Sequence, residues 1–158
     1  MIKPAANYTI EIENLYNEKM YDISSFYYIG AEDNYPLMLT NNEEQIGRYN
    51  WAVLDGEKVI GYIGYWIDWT IRCASSFGVY CFDEGNPVFG LAIRDVMKIL
   101  IEDYKLHRIE WRMISGNPIQ KHYDRFCEKY GGNKVVLHDV CKDRYGEFHD
   151  EYVYEIIQ

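Results

Sequence analysis

From Asn50 onward, apolar and polar positions follow one another in blocks with clear periods. The runs Asn50–Leu54 and Val59–Ile67 flank Asp55-Gly56-Glu57-Lys58, which predicts a hairpin turning at Asp55-Gly56. Ser75–Phe82 predicts a further strand. Ile93, Val96, Met97, Leu100, Ile101 and Tyr104 then recur at helical spacing and form one apolar stripe, with the helix ending near Lys105. His107–Ile114 sets Ile109, Trp111 and Met113 against Arg108, Glu110 and Arg112, the period of two of a half-buried strand. Gly116–Gly132 predicts a helix striped by Ile119, Tyr123, Phe126, Cys127 and Tyr130 and stopped by Gly131-Gly132. Lys134–Val140 and Asp150–Ile157 close the chain as two strands around a turn at Gly146.

The front third carries weaker periodicity. Tyr8–Ile12 alternates and predicts a first strand; Leu15–Ile29 predicts a helix with Leu15, Met20, Ile23 and Phe26 inward. Asn41–Tyr49 opens on a cap-like Asn followed by acids and predicts a short second helix. The order is therefore strand, helix, helix, three strands, helix, strand, helix, two strands. No repeat, low-complexity tract or Pro/Gly/Ser linker interrupts it, so a single domain over residues 1–158 is expected.

Composition narrows the classes of function. A chain of 158 residues can bury a substantial core. The formal charge of -9 argues against nucleic acid or an anionic membrane as the main partner and suits a cationic small molecule or a basic peptide. No apolar run is long enough to cross a bilayer, and Met1–Ile10 does not resemble a signal peptide, so a cytoplasmic protein is expected. The four cysteines, Cys73, Cys81, Cys127 and Cys141, lie far apart without metal-ligand spacing, so buried free thiols and no metal are expected. The 16 tyrosines are consistent with a tyrosine-lined pocket or with scattered half-buried packing.

Within this framework Phe82–Leu100 is a strand end, a glycine-bearing turn and a helix, the arrangement used to cradle phosphates. Together with "HRIEWR" (107–112), "GNP" (116–118) ahead of Tyr123, "KYGG" (129–132) and "YGEFHDEYVYEI" (145–156), the element order resembles the GNAT superfamily of acyl-CoA-dependent N-acetyltransferases. The resemblance covers about Trp51–Ile157 and looks strongest to the branch containing the ribosomal-protein N-terminal acetyltransferases. It implies an α+β fold: a mixed, mostly antiparallel central sheet of about six to seven strands, helices on both faces, and one splayed strand pair.

The resemblance also implies a chemistry, namely transfer of an acetyl group from acetyl-CoA as co-substrate to a small-molecule or peptide amine. In the splayed pair, backbone amides of Tyr80, Cys81 and Phe82 would bond pantetheine and polarise the thioester carbonyl. The family's Arg/Gln-x-x-Gly-x-Gly/Ala turn falls at Gly85–Gly90, with amides around Val88, Phe89, Gly90 and Leu91 facing the pyrophosphate. Only Gly90 matches that pattern; Val88 replaces a glycine, Pro87 lacks a donor, and Asp83 and Glu84 add negative charge. The site is open to two readings: a working CoA turn, or one reduced to a structural role in a binding module without catalysis.

For the remaining roles the residues also admit alternatives. Tyr123 stands near the family's thiolate-protonating Tyr, six residues after Asn117 instead of the common seven, and is equally a member of its helix's core stripe. Asn117 is a pantetheine ligand by resemblance and a helix cap ahead of Pro118 by its own chemistry. Glu110 is the leading general base, or one partner in an ion pair with Arg108 or Arg112; His107, His122 and Asp83 are weaker candidates for that role. Tyr27, Tyr28, Tyr35 and Trp66 are candidates for an aromatic acceptor wall, with Glu32 and Asp33 attracting a cation. Monomer and homodimer are both compatible with the chain, the latter through a closing strand left at a sheet edge.

Overall fold

The structure, a computed structural model, describes residues 1–21, 46–143 and 145–158. Its strands are β1 (Ile2–Pro4), β2 (Arg48–Asp55), β3 (Lys58–Asp68), β4 (Cys73–Cys81), β5 (Arg108–Ile114), β6 (Asn133–Lys142) and β7 (Phe148–Ile157). They form one seven-stranded sheet in the order β1-β2-β3-β4-β5-β7-β6. Every pairing is antiparallel except β4 with β5. Three helices complete the described chain: α1 (Thr9–Tyr21), α2 (Pro87–Lys98), which runs on into a π turn over Ile99–Asp103, and α3 (Gln120–Lys129).

Side-chain alternation along the central strands divides the core into two layers. On one face, Ile12 and Tyr16 of α1 pack with Ala52, Leu54, Tyr62 and Tyr80. On the other, α2 and α3 bring Phe89, Val96, Met97, Tyr123 and Cys127 against Ile63, Tyr65, Ile109, Trp111 and Tyr154. Helix α2 approaches closely because β3 has Gly61 beneath Phe89, where a Cβ would overlap the Phe89 ring and lie 2.7 Å from the Tyr80 carbonyl oxygen. The expected α+β class, with helices on both faces of a mostly antiparallel sheet, is thus present.

Three local expectations change. Tyr8–Ile12 is not a strand: Tyr8 ends a 3-10 turn and Thr9 begins α1. The apparent alternation fails because Ile10 is exposed while Ile12 and Tyr16, four residues apart, are both buried, which is helical spacing. The end of the helix expected over Asn41–Tyr49 is instead a turn at Ile46-Gly47 followed by β2; Asn41–Gln45 lie outside the described residues, as does the helix expected over Leu15–Ile29 beyond Tyr21. The closing strand β7 sits between β5 and β6, so it is β6 that forms the sheet edge.

One irregularity positions everything that follows. Gly64 pairs with Gly78 and Trp66 with Ser75, so β4 carries one residue more than the stretch of β3 it opposes. The bulge places Ser76 at φ 52°, the left-handed region that side chains other than glycine rarely adopt. Strand β4 pairs with β5 through just two residue pairs, Cys73 with Arg108 and Ala74 with Ile109, immediately before the bulge. Beyond it the two strands separate.

Replacing Ser76 with Val, whose branched Cβ resists a positive φ, is expected to lower unfolding free energy by about 1–2 kcal/mol, whereas Ser76→Gly costs far less. Urea unfolding of the two variants checks this; equal losses would show that backbone strain at the bulge is not what the position demands.

Candidate active site

The separation of β4 and β5 opens a cleft of about 930 Å³. Phe77, Val79 and Cys81 line it from β4, Trp111 and Met113 from β5, the start of α2 from one end, and Asn117, His122, Tyr123 and Phe126 from around α3. A single gap therefore gathers Glu110, Cys81, Phe89, Gly90, Asn117, His122 and Tyr123, while Tyr80, Phe82, Val88 and Leu91 do not line it.

Ladder geometry decides which β4 amides are available. The Phe82 N–H donates to the Ile60 carbonyl at 2.9 Å. Antiparallel ladders alternate, so Tyr80, paired with Tyr62, directs its N–H to β3 as well, and the amides of Val79 and Cys81 face the gap. The expectations for Tyr80 and Phe82 are corrected accordingly, because both donors are directed to β3. Tyr80 contributes a side chain buried against Tyr16 and Tyr62, with ring centroids at 5.1 and 6.1 Å. Val79 was missed; the register, which no single-strand pattern reveals, is what exposes it.

The floor of the cleft is aromatic. Trp111 stacks on Tyr154 at 5.3 Å with an interplanar angle of 5°, and Tyr123 meets both edge-on at 5.9 Å. Among the described residues the buried indole N–H of Trp111 has no hydrogen-bond partner, and packing holds this ring. Tyr154 donates its hydroxyl hydrogen to Asp124 Oδ1 at 2.7 Å, and Lys134 reaches the same oxygen at 2.8 Å. Burial pushes the Tyr123 phenol up from its ordinary value. Among the described residues the Tyr123 hydroxyl has no hydrogen-bond partner, which leaves its proton for a ligand. Tyr123 is buried in the stripe and also lines the cleft.

Glu110 lies on the opposite face of β5 from Trp111 and also lines the cleft. Its Oε2 accepts from Arg108 at 2.7 Å and its Oε1 from Arg112 at 3.3 Å; Arg108 also reaches Glu155 at 3.0 Å. The ion pair anticipated beside a catalytic role is therefore formed. Asn117 accepts from the Ile119 N–H at 3.1 Å and shapes the turn that leads into α3, while also facing the cleft. Trp66 is not brought to the cleft; it stands exposed on β3 beside Gly47. Tyr27, Tyr28, Tyr35, Glu32 and Asp33 lie outside the described residues.

At the α2 end, the first amides are already occupied. Pro87 has no N–H, Val88 donates to the Asn86 side chain at 3.0 Å, and Phe89 donates to the Asn86 carbonyl at 3.2 Å. The two ends of the cleft therefore differ: strand amides face the gap beside β4, whereas the helix end uses its first amides internally. The triad Asp143, Glu147 and His149, whose ligand atoms lie within 4.8 Å of one another, is in the β6–β7 turn, away from the cleft.

This arrangement, a sheet split between one parallel strand pair with helices on both faces, is the fold of the GNAT N-acetyltransferases. No protein-family model matches the chain, and no curated protein matches it. Among solved structures, a mutant form of the spermidine/spermine N-acetyltransferase SpeG from Vibrio cholerae matches with a TM-score of 0.72 and 18% identity, covering 100% of this chain and 93% of that one. A second mutant of that spermidine N-acetyltransferase gives 0.70 and 17%, covering 99% and 94%. A probable acetyltransferase gives 0.55 and 20%, covering 72% and 63%. The chain spans 60 to 63% of the length of three such acetyltransferases. At these identities the likeness shows the fold.

Because Asp124 holds Tyr154 under Trp111, its ionisation is coupled to the floor. Burial pushes the Asp124 carboxyl up, but the hydrogen bonds from Lys134 and Tyr154 outweigh it and hold it below the usual carboxylate range. A carboxyl depressed in the folded state stabilises above its unfolded value of about 3.9 and loses that contribution as pH falls through the lower folded value. Urea unfolding should therefore show Asp124→Asn less stable than the parent at pH 7, with the gap closing as pH falls below about 4. A gap independent of pH would show that the charge plays no part.

Proposed function

We propose that the chain is an N-acyltransferase that moves an acetyl group from a pantetheine thioester, acetyl-CoA being the usual one for this fold, directly to a primary amine. The observation that carries this reading is the split between β4 and β5, with strand amides facing the gap from one wall and a protonated phenol from the other. The donor supplies an activated acyl carbon and a thiolate leaving group. The residues of the chain do the rest.

The pantetheine arm adds to the edge of β4 as an extra strand would, through the amides of Val79 and Cys81. In this reading the Cys81 N–H, fixed by the ladder before any ligand arrives, donates to the carbonyl oxygen as negative charge develops there. The Cys81 thiol takes no part; burial pushes it up from its ordinary value, and it donates to the Asp83 carbonyl at 3.4 Å. Tyr123 offers its hydroxyl hydrogen to the departing sulfur. A phenol raised by burial lies above a thiol's usual value of about 8.5, so full proton transfer is uphill and the hydrogen bond itself does the stabilising.

The amine must arrive uncharged. Both oxygens of Glu110 are bonded to arginines, so an amine proton reaches this carboxylate through water or by displacing a guanidinium. In this reading Glu110 takes the amine proton by one of these two routes.

A non-catalytic binding module on the same fold is the second reading, favoured by the occupied start of α2. Tyr123→Phe separates the two. Turnover is expected to fall roughly 100-fold while donor affinity, read by calorimetry, stays within about threefold. Cys81→Ala should keep nearly full activity, since the backbone carries the role. Absence of thermal stabilisation by acetyl-CoA and acetylpantetheine alike, each near millimolar, would sink the acyltransferase reading.

A further inference from the structure

The end of α2 holds its own side chain where an anion would bind. Asn86 Oδ1 accepts from Val88, and Asn86 Nδ2 donates to Asp55 Oδ2 and Asp83 Oδ2, each at 3.1 Å. Those bonds fix the orientation of the amide: its nitrogen belongs with two carboxylates and its oxygen with the helix N–H. Gly85, at φ 83°, makes the turn that brings Asn86 into this position.

The nearby charges strengthen the closure. Hydrogen bonds from Asn86, then from Lys58, hold the Asp83 carboxyl below its ordinary range, so it stays ionised. Lys58 lies 3.4 Å from Asp83, and Lys19 pairs with Glu84, so both cations near the turn face carboxylates of their own. Arg94, one turn further along α2, lies 3.5 Å from Asp95. A pyrophosphate arriving here would have to displace Asn86 from Val88, release Asp55 and Asp83 from their shared donor, and settle beside both. The gap beyond requires nothing of the kind, since the Val79 and Cys81 amides already face it.

We propose that the cleft recognises its acyl donor by the pantetheine arm alone, and that Asn86 is the residue that closes the helix end to a pyrophosphate. This rests on the acyltransferase reading above and names the donor class more closely: a pantetheine thioester whose nucleotide end contributes little to binding. Asn86 is thus a specificity-determining residue, not a catalytic one.

Calorimetric titration of the full chain with acetyl-CoA and with S-acetylpantetheine tests this directly. The two dissociation constants are expected to agree within about threefold, and the acetyl-CoA value to change little with salt. Asn86→Gly, chosen because glycine remains an acceptable helix cap, should tighten acetyl-CoA relative to acetylpantetheine by about tenfold as the Val88 amide becomes free. In the unaltered protein, acetyl-CoA binding tenfold or more tighter than acetylpantetheine would overturn the proposal. A ratio unmoved by Asn86→Gly would overturn the role given to Asn86. Binding of neither donor would overturn the acyltransferase reading itself, and this inference with it.

Discussion

The structure depends on how few bonds join β4 to β5. A parallel pair normally continues its ladder along the whole shared length, because unpaired backbone groups away from water are costly. Here the ladder stops after two residue pairs, at the point where the bulge turns β4 aside. The consequence is chemical as well as geometric. Beyond that point the amides of Val79 and Cys81 face the gap and not β3. The strain at Ser76 and the direction of those amides are two sides of one irregularity.

What lies on either side of the gap follows from the alternation of β5. Its odd-numbered residues, Ile109, Trp111 and Met113, build the aromatic and apolar floor with α3, while its even-numbered residues, Arg108, Glu110 and Arg112, form a charged lattice with Glu151 and Glu155 of β7. The strand thus presents a buried phenol's surroundings to one face and a neutralised carboxylate to the other. One strand separates an apolar, aromatic face from a charged one.

Much of this architecture was legible from periodicity. The β2–β3 hairpin, α2, β5, α3 and the closing strands follow from patterns that a helix or half-buried strand must have. The cleft was less so. Ser76 carries no sign of its positive φ, since serine is common in strands and turns alike, and the partition of β4 amides depends on a register set by β3. The Tyr8–Ile12 stretch misled because two isoleucines two apart fit a strand and, with Tyr16, also fit a helix. Asn86-Pro87 did carry a signal: a capping residue followed by proline at the first helical position is what a self-sufficient helix start looks like. In Phe82–Leu100 that signal competes with the glycine spacing of a phosphate turn, and Asn86 makes the hydrogen bond of a capped helix start.

A helix start can be satisfied by its own cap or by an anion, and the two compete for the same amides. Glycine-rich turns leave the amides to the ligand and accept a less stable helix end in the free protein. Asn86 and Pro87 make the opposite choice, stabilising α2 by a side-chain cap and a preset φ. That stability serves the cleft, because α2 forms one of its walls and Phe89 presses on Gly61 of β3, the strand that holds β4 in register. A helix end fixed without ligand keeps that wall in place without ligand. The β4 amides that face the same cleft are likewise set in advance, by the bulge at Ser76.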